Sequence, residues 1–264
     1  MTLTGPLTGD QVAAFHRDGY LVVPHTFTAA EVAELGDAAR RDHAMQDASL
    51  PVKDAAGRIA KLSLWNDAGD DIYGRFARCR RIVDAAEQLL DDEVYHYHSK
   101  LSLKEPFVGG AWEWHQDYGY WYNNGCLFPR MLSALTAIDP CDRENGCLQV
   151  LRGSHLMGRI DHGVSGTQTG ADDERTRVAR ERLDLVHVEQ NPGDTLFFHC
   201  NLLHCSAPNE SPRPRWTLIT AYNARSNDPY KPSQHPGYTP LVKVDDADLL
   251  AGIEVATNRE FMRQ

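Results

Sequence analysis

From Val94 to about residue 223 apolar residues recur with a period of two, and this alternation limits the possible folds more than any other feature of the sequence. A period of two is typical of β-strands with one buried face. Gly, Pro, Asn and Asp divide the region into eight predicted strands, 94–104, 111–117, 130–138, 146–151, 183–189, 194–199, 203–207 and 215–223. No helix of matching length separates them, so the pattern favours an antiparallel sandwich or barrel over alternating strands and helices.

Residues 1–93 are predicted to be mainly helical. Thr8 with Gln11, and Thr28 with Glu31, have the form of capping boxes, in which two side chains satisfy free backbone N–H groups at a helix start. The short apolar segment 20–23 is predicted to be a strand between these two helices. The flanking helices and the β region from 94 to 223 are expected to form one domain over 1–264, because the sequence shows no internal repeat or low-complexity tract.

Charge and composition restrict the partners and the compartment. The chain has 37 acidic and 27 basic side chains and a formal charge of −10, which opposes binding to nucleic acid or to an anionic membrane. No apolar run approaches the roughly 20 residues that span a bilayer, and the first ten residues do not resemble a signal peptide. We therefore expect a cytoplasmic protein whose six cysteines are free thiols. Its oligomeric state is not predicted.

One long interruption lies inside the β region. Segment 163–182 is polar and contains glycine, and it is predicted to form a mobile loop followed by a short helix. Loops of this length within a compact domain are uncommon, and many of them cover active sites. The segment is therefore a candidate lid, and a disordered surface excursion is the alternative.

The triplet His115-Gln116-Asp117 is a candidate metal-binding motif. If 111–117 is a strand, residues 115 and 117 point to the same face. An imidazole and a carboxylate placed side by side can bind one metal ion, and a second histidine would complete a facial triad with open coordination positions.

The third ligand is less constrained, because the chain has twelve histidines. His155, His187 and His199 are alternatives to His204. His204 is preferred because an arginine, Arg215, follows it after eleven residues at the start of an apolar strand. A guanidinium beside the metal could hold a carboxylate through two parallel hydrogen bonds. Arg213 competes for this role, but it lies between two prolines and is predicted to be on a turn.

Four motifs, two of which contain the preferred metal ligands His115, Asp117 and His204, carry a resemblance of this chain to the phytanoyl-CoA dioxygenase family of iron(II)/2-oxoglutarate oxygenases, which includes the ectoine hydroxylases. The motifs are WHQD at 114–117, ENGCLQVLRGSH at 144–155, PGDTLFFH at 192–199 and HCSAPNESPRPRW at 204–216, with a looser match in DGYLVV at 18–23.

The resemblance implies a mainly β fold with flanking α-helices, built on a double-stranded β-helix core of the jelly-roll or cupin-like type. It implies iron(II) bound by His115, Asp117 and His204, with 2-oxoglutarate and O₂ as cosubstrates. Arg215, helped by Ser206, would hold the distal carboxylate of 2-oxoglutarate. Lys61 resembles a lysine that the family uses near the cosubstrate, although a solvated surface lysine is the alternative. The expected reaction is hydroxylation of an unactivated C–H bond, with release of succinate and CO₂.

Strand 94–104, where the chain departs from the family pattern, is predicted to carry substrate-binding residues. Alternation places His96, His98, Lys100, Ser102 and Lys104 on one face. If this face lines the barrel, Lys100 with His98 could bind an anionic group of the substrate or the near carboxylate of 2-oxoglutarate, and Tyr118 and Trp121 could supply an aromatic wall. The substrate would then be a small polar molecule with a carboxylate or phosphate. The alternative is that the face lies on the outside of an edge strand, where Lys and His are easily accommodated.

Two other functions are compatible with a metal site on such a barrel. One is a metal-dependent, cupin-like isomerase or hydrolase, which would have no need of Arg215 and Ser206. The other is a non-catalytic binding protein of the same fold, although an intact ligand triad argues against it.

Overall fold

Two antiparallel sheets face each other at the centre of the structure, a computed structural model that describes residues 3–54, 56–165, 168–251 and 261. The strands of this part of the chain are Tyr20–Val23 (β1), Leu50–Lys53 (β2), Ile59–Trp65 (β3), Val94–Lys104 (β4), Trp112–His115 (β5), Met131–Ala137 (β6), Leu148–Leu151 (β7), His162–Ser165 (β8), Gln168–Ala171 (β9), Leu185–Val188 (β10), Thr195–His199 (β11), His204–Ser206 (β12) and Arg215–Ala224 (β13). The α-helices are Gly9–Asp18 (α1), Ala29–Arg41 (α2), His43–Asp47 (α3), Ile72–Arg78 (α4), Arg80–Leu90 (α5), Asp117–Trp121 (α6) and Asp173–Arg182 (α7).

The larger sheet has seven strands and the smaller sheet has four. The larger sheet runs β1-β11-β6-β13-β4-β3-β2, and the smaller one runs β10-β7-β12-β5. Side chains from both sheets line one internal cavity. This is the double-stranded β-helix arrangement that the family resemblance implied. No helix among the described residues is long and apolar enough to cross a membrane.

All eight predicted strands of the β region are present, with ends that differ by at most three residues. The strand predicted at 94–104 is β4 without any change of bounds, because its alternation is not interrupted by a turn residue. The strand predicted at 111–117 is shorter, since β5 ends at His115 and α6 begins at Asp117.

The N-terminal part contains both helices and strands. Both capping boxes are present, since Thr8 and Thr28 accept hydrogen bonds from the backbone N–H groups of Gln11 and Glu31. However, residues before Val94 also contribute three strands to the larger sheet. β1 pairs with β11, and β3 pairs with both β2 and β4. β1 was predicted from the apolar segment 20–23, whereas β2 and β3, which are short and lie between helical segments, were not predicted.

Helices cover the outer face of the larger sheet. One hydrophobic cluster joins Phe15 of α1, Leu35 of α2 and Ile82 of α5 to sheet residues such as Leu101 and Leu218. Burial of these side chains favours folding by about 25 cal/mol per Å² of apolar surface. With one face of the larger sheet occupied by helices, the space between the two sheets is left for polar residues and a cavity.

Segment 163–182 contains a hairpin and a helix instead of an irregular loop. β8 and β9 pair with each other, and α7 follows them. The side-chain amide of Gln168 accepts from Glu113 N and donates to the carbonyls of Lys53 and Ala111. These bonds fix β9 against β5 and β2. The tip of the hairpin lies outside the described residues, and the opening of the segment as a lid stays a prediction.

Candidate active site

Three predicted metal ligands meet between the two sheets. His115 is the last residue of β5, Asp117 is the first residue of α6, and His204 is the first residue of β12. One ligand atom from each residue lies within 4.8 Å of the others. β12 and β5 are paired so that His204 lies directly opposite His115. His199 lies at the end of β11, where its Nδ1 accepts from Asn201 N at 3.0 Å, so the geometry supports His204 as the third ligand.

Local hydrogen bonds orient both histidines. The Nδ1 of His115 lies 2.7 Å from the carbonyl of Glu113, and the Nδ1 of His204 lies 2.9 Å from the carbonyl of Leu202. A carbonyl can only accept, so Nδ1 carries the proton in both rings. The lone pair of each ring is then on Nε2, which is the form that binds a metal ion.

Asp117 is oriented by two side chains of the larger sheet. Its Oδ2 accepts a hydrogen bond from Ser133 Oγ at 2.8 Å, and its Oδ1 lies 3.5 Å from Lys100 Nζ. Burial opposes ionisation of this carboxyl, but Lys100 and the two histidines outweigh burial and hold the pKa of Asp117 below its usual value. Asp117 is therefore a carboxylate at neutral pH.

Burial also lowers the pKa of His115 and His204, and both are neutral at pH 7. The site thus offers two neutral imidazole nitrogens and one carboxylate oxygen from three residues. This donor set fits iron(II) as a facial triad, with the remaining coordination positions open to other ligands.

An inner cavity adjoins the triad and ends at Arg215. The residues that line it are Leu62, Lys100, Ser102, Trp112, His115, Asp117, Leu135, Leu148, Phe198, His204, Ser206, Arg215 and Ile219. Arg215 is 3% exposed, and its Nε has no hydrogen-bond partner among the described residues. A buried guanidinium with an N–H group left unpaired is unfavourable, and an anion beside it would offset this cost. The cavity therefore fits a ligand that has a carboxylate at the Arg215 end and reaches the triad at the other end.

Arg213 does not reach this cavity. It is exposed, and it forms salt bridges with Asp142 at 2.6 Å and with Glu144 at 3.5 Å. The choice of Arg215 over Arg213 agrees with this geometry.

An outer cavity of about 780 Å³ opens on the other side of the triad. Three predicted substrate residues, His98, Lys100 and Trp121, line it. The Lys100 ammonium lies 5.8 Å from the centre of the Trp121 ring, and the rings of His98 and Trp121 are 5.4 Å apart. The only carboxylate among the described lining residues is Asp117.

Tyr118 was wrongly expected in the aromatic wall. Its side chain is buried in a separate cluster, and its hydroxyl donates to the carbonyl of Cys126. Asp117 starts a helix, so the next residue is rotated by about 100° and points away from the metal site. Trp121, four residues after Asp117, returns to the same face, and Tyr120 also lines the outer cavity.

Lys61 is not brought to the site either. It is exposed on β3, whereas Leu62 and Leu64 on the opposite face of the strand line the cavities. The alternative interpretation, a solvated lysine, agrees with this position.

The inward face of β4 follows the prediction only from His98 onward. β4 lies between β3 and β13, so the edge-strand alternative is wrong. His98 pairs with Ala221, but His96 pairs with Tyr222, which leaves Tyr97 as an unpaired bulge. His96 consequently turns to the other face, where its Nε2 contacts Ser99 Oγ at 2.8 Å.

Two contributors to the site had no sequence signal of their own. Ser133 is one of many serines, and only the pairing of β6 with its neighbours brings it to Asp117. Lys104 was on the predicted inward face of β4, but no role was predicted for it. Its Nζ donates to Ser206 Oγ at 2.7 Å.

The chain is similar to known enzymes over most of its length. The model of the phytanoyl-CoA dioxygenase family matches residues 15–217. The ectoine dioxygenase of Sphingopyxis alaskensis is 34% identical over 88% of this chain and 80% of that protein. The L-proline trans-4-hydroxylase of Streptomyces griseoviridis is 28% identical over 93% of this chain and 98% of that protein.

Two solved structures of enzymes are also similar to this chain in fold. EctD from S. alaskensis with 2-oxoglutarate and 5-hydroxyectoine has a TM-score of 0.74 and 28% identity, over 91% of this chain and 88% of that one. The epimerase SnoN in complex with Fe³⁺, alpha ketoglutarate and nogalamycin RO has a TM-score of 0.71 and 25% identity, over 89% and 93%. The His-Asp-His site, the family match and these relatives together identify the chain as a member of the phytanoyl-CoA dioxygenase family and an iron(II)- and 2-oxoglutarate-dependent hydroxylase.

Proposed function

We propose that this enzyme hydroxylates an unactivated C–H bond of a small polar molecule that carries a carboxylate or a phosphate. One O₂ and one 2-oxoglutarate would be consumed for each hydroxylated product, with release of succinate and CO₂. The observation that carries the proposal is Lys100, whose ammonium lies in the wall of the outer cavity beside the metal site. Among the described residues, that cavity has no carboxylate besides Asp117 to neutralise a cationic substrate.

In this proposal His115, Asp117 and His204 hold the iron, and Arg215 with Ser206 holds the distal carboxylate of 2-oxoglutarate. Iron(II) and 2-oxoglutarate, when bound, supply the chemistry of O₂ activation and C–H oxidation. The protein's own contribution is to orient the ligands. Ser133 fixes one oxygen of Asp117, and backbone carbonyls fix the two rings. Such fixed geometry supports reaction at a chosen carbon atom.

Lys100 and His98 would determine where the substrate lies. His98 is 2% exposed, and neither of its ring nitrogens has a hydrogen-bond partner among the described residues. Burial and the nearby Lys100 lower the pKa of His98 well below its usual value. His98 is therefore a neutral hydrogen-bonding group next to a cation. This pair suits an anionic substrate group with a polar neighbour, and Trp121 would cover an apolar part of the same molecule.

A screen for succinate formation tests the proposal. Small carboxylates and phosphates should be assayed together with uncharged analogues, such as amides or dephosphorylated forms, and products should be examined for a gain of one oxygen atom. We expect turnover with an anionic compound and much less with its uncharged analogue. An isomerase, a hydrolase or a binding protein would form no succinate in an O₂-dependent manner.

The variant Lys100→Met tests the proposed contact. Truncation of one partner of a buried charge pair costs on the order of 2–5 kcal/mol, so KM for the anionic substrate should rise strongly while 2-oxoglutarate affinity changes little. Lys61→Met is a matched control, because Lys61 is exposed and on the outer face of the neighbouring strand. Iron content must be measured in parallel, since Lys100 also contacts Asp117. Unchanged kinetics for substrate and 2-oxoglutarate in Lys100→Met would refute this role.

A further inference from the structure

Two buried cations lie directly opposite each other at the inner end of the site. Lys104, the last residue of β4, pairs with Arg215, the first residue of β13. Lys104 is 0% exposed and Arg215 is 3% exposed. Like charges directly opposite in an antiparallel pair are destabilising, and burial makes the repulsion stronger. The repulsion between Lys104 and Arg215 must therefore be offset by another interaction.

The described protein residues do not supply an acidic partner for Lys104. Its Nζ donates to Ser206 Oγ at 2.7 Å and to the carbonyl of Ala207. Asp54 is close enough to influence Lys104, but its oxygens accept from backbone N–H groups at positions 56, 58 and 111. Burial and the charge of Arg215 lower the pKa of Lys104 well below its usual value. A ligand carboxylate at this end of the cavity would offset the repulsion between the two adjacent cations.

The hydrogen bond to Ser206 also has a direction. When a carboxylate occupies this end of the cavity, it favours the ammonium form of Lys104, which can only donate; the Ser206 oxygen is then the acceptor, and the hydroxyl proton of Ser206 is left to donate to another group. Ser206 lines the inner cavity together with Arg215, whereas Lys104 does not line it. Lys104 therefore contacts Ser206 without itself lining the cavity, and it can influence a ligand only through Ser206 or through its charge.

We propose that Lys104 is a positioning residue for the cosubstrate, which makes the inner cavity selective for a dicarboxylate. It holds Ser206 so that its hydroxyl donates to the distal carboxylate, and it adds a second positive charge beside Arg215. The inference rests on the proposed function, in which Arg215 and Ser206 bind that carboxylate. It adds a residue and a selectivity that the proposed function does not contain.

Binding of two probes tests the inference without turnover. 2-Oxoglutarate and 2-oxopentanoate share the 2-oxo acid group, but only the first has a distal carboxylate. Their affinities should be measured by calorimetry on protein loaded with Mn(II), under anaerobic conditions, for wild type, Lys104→Met, Ser206→Ala and the double variant. Lys104→Met should weaken 2-oxoglutarate binding by about tenfold or more, the size expected for a charge-assisted interaction, and leave 2-oxopentanoate nearly unchanged. In the Ser206→Ala background the same change should have a clearly smaller effect.

The other possible outcomes distinguish a failure of this inference from a failure of the proposed function. If wild type prefers 2-oxoglutarate but Lys104→Met binds it equally well, the role of Lys104 is wrong and the proposed function stands. If Lys104→Met weakens both probes equally and also unfolds at a lower temperature, Lys104 is only structural, and the inference fails. Failure of wild type to bind 2-oxoglutarate would overturn the proposed function itself. Lys104→Gln, which keeps a hydrogen-bond donor without the charge, serves in the same comparison if Lys104→Met does not fold.

Discussion

Replacement of Arg215 by alanine should weaken 2-oxoglutarate binding far more than iron binding. Arg215 is almost fully buried, and its Nε has no partner among the described residues. In the occupied site it would form two parallel bonds with a carboxylate that is itself desolvated, and the variant would leave that carboxylate unpaired. Truncation of one partner of such a pair costs on the order of 2–5 kcal/mol, which corresponds to a loss of affinity between roughly 30-fold and several thousand-fold.

The assay is an anaerobic calorimetric titration of 2-oxoglutarate into protein loaded with metal, after a separate titration with the metal alone. Arg215→Lys should recover only part of the affinity, because an ammonium cannot form the two-point contact of a guanidinium. Arg213→Ala is the control, since this exposed arginine lies on the same segment and pairs with Asp142 at the surface. Equal 2-oxoglutarate affinity in wild type and Arg215→Ala would refute the reasoning.

Three other predictions concern the metal site and the buried histidines. His204→Ala should abolish succinate formation, whereas His199→Ala should keep it; the opposite result in the succinate assay would mean that the third ligand was misassigned. Ser133→Ala should weaken iron binding by about tenfold or more, as expected when a hydrogen bond that orients a ligand is lost; metal titration of the two proteins measures this, and equal affinities would contradict it. Burial lowers the pKa of His235 from 6.5 to about 4, so the unfolded chain takes up this proton at a higher pH than the folded chain. His235 should therefore not reduce the free energy of unfolding above pH 6.5, and it should reduce it progressively as the pH falls toward 4. Urea unfolding of His235→Gln should show a smaller decrease of this free energy with falling pH. The same pH dependence in both proteins would argue against a buried neutral His235.

The sequence predicted the strands of the β region well because each of them has one apolar face and ends at a turn residue. It did not predict β2 and β3, since Leu50–Lys53 and Ile59–Trp65 are short and lie among helices. Their place in the sheet depends on pairing with β4, which is a contact between distant parts of the chain. Such contacts override local preference and cannot be deduced from alternation alone.

The three residues predicted as metal ligands lie together in the structure, but Asp117 reaches the site from a different element than expected. Asp117 was expected to share a strand face with His115, but it reaches the site from the first turn of α6. The difference has a consequence for the aromatic wall, because a helix brings Trp121 to the cavity and turns Tyr118 away from it. The five residues from Asp117 to Trp121 are too few for the sequence to show whether side chains repeat as in a strand or as in a helix.

Lys61 and Lys104 show the limits of a loose family match and of an alternation pattern. Lys61 was suggested by a loose match, and it is exposed. Lys104 lies on the same face as Lys100, which alternation predicted to be inward, yet its contact with Ser206 depends on how the two sheets are packed. Sheet packing is determined by the whole core, and a local motif does not contain it.

The bulge at Tyr97 separates β4 into two parts that can change independently. From His98 to Lys104 the strand keeps its register with β13, and this part contains the residues nearest the metal site. The ring of Tyr97 stacks on the ring of His235, with 4.5 Å between the ring centroids, and the Tyr97 hydroxyl accepts a hydrogen bond from Asn124. His235 and Asn124 both line the outer cavity. Deletion of this one residue would restore simple pairing and remove the support for one wall, without shifting any metal ligand. A change of chain length at this point is thus expected to alter the shape of the outer cavity and to leave the metal-binding residues in place.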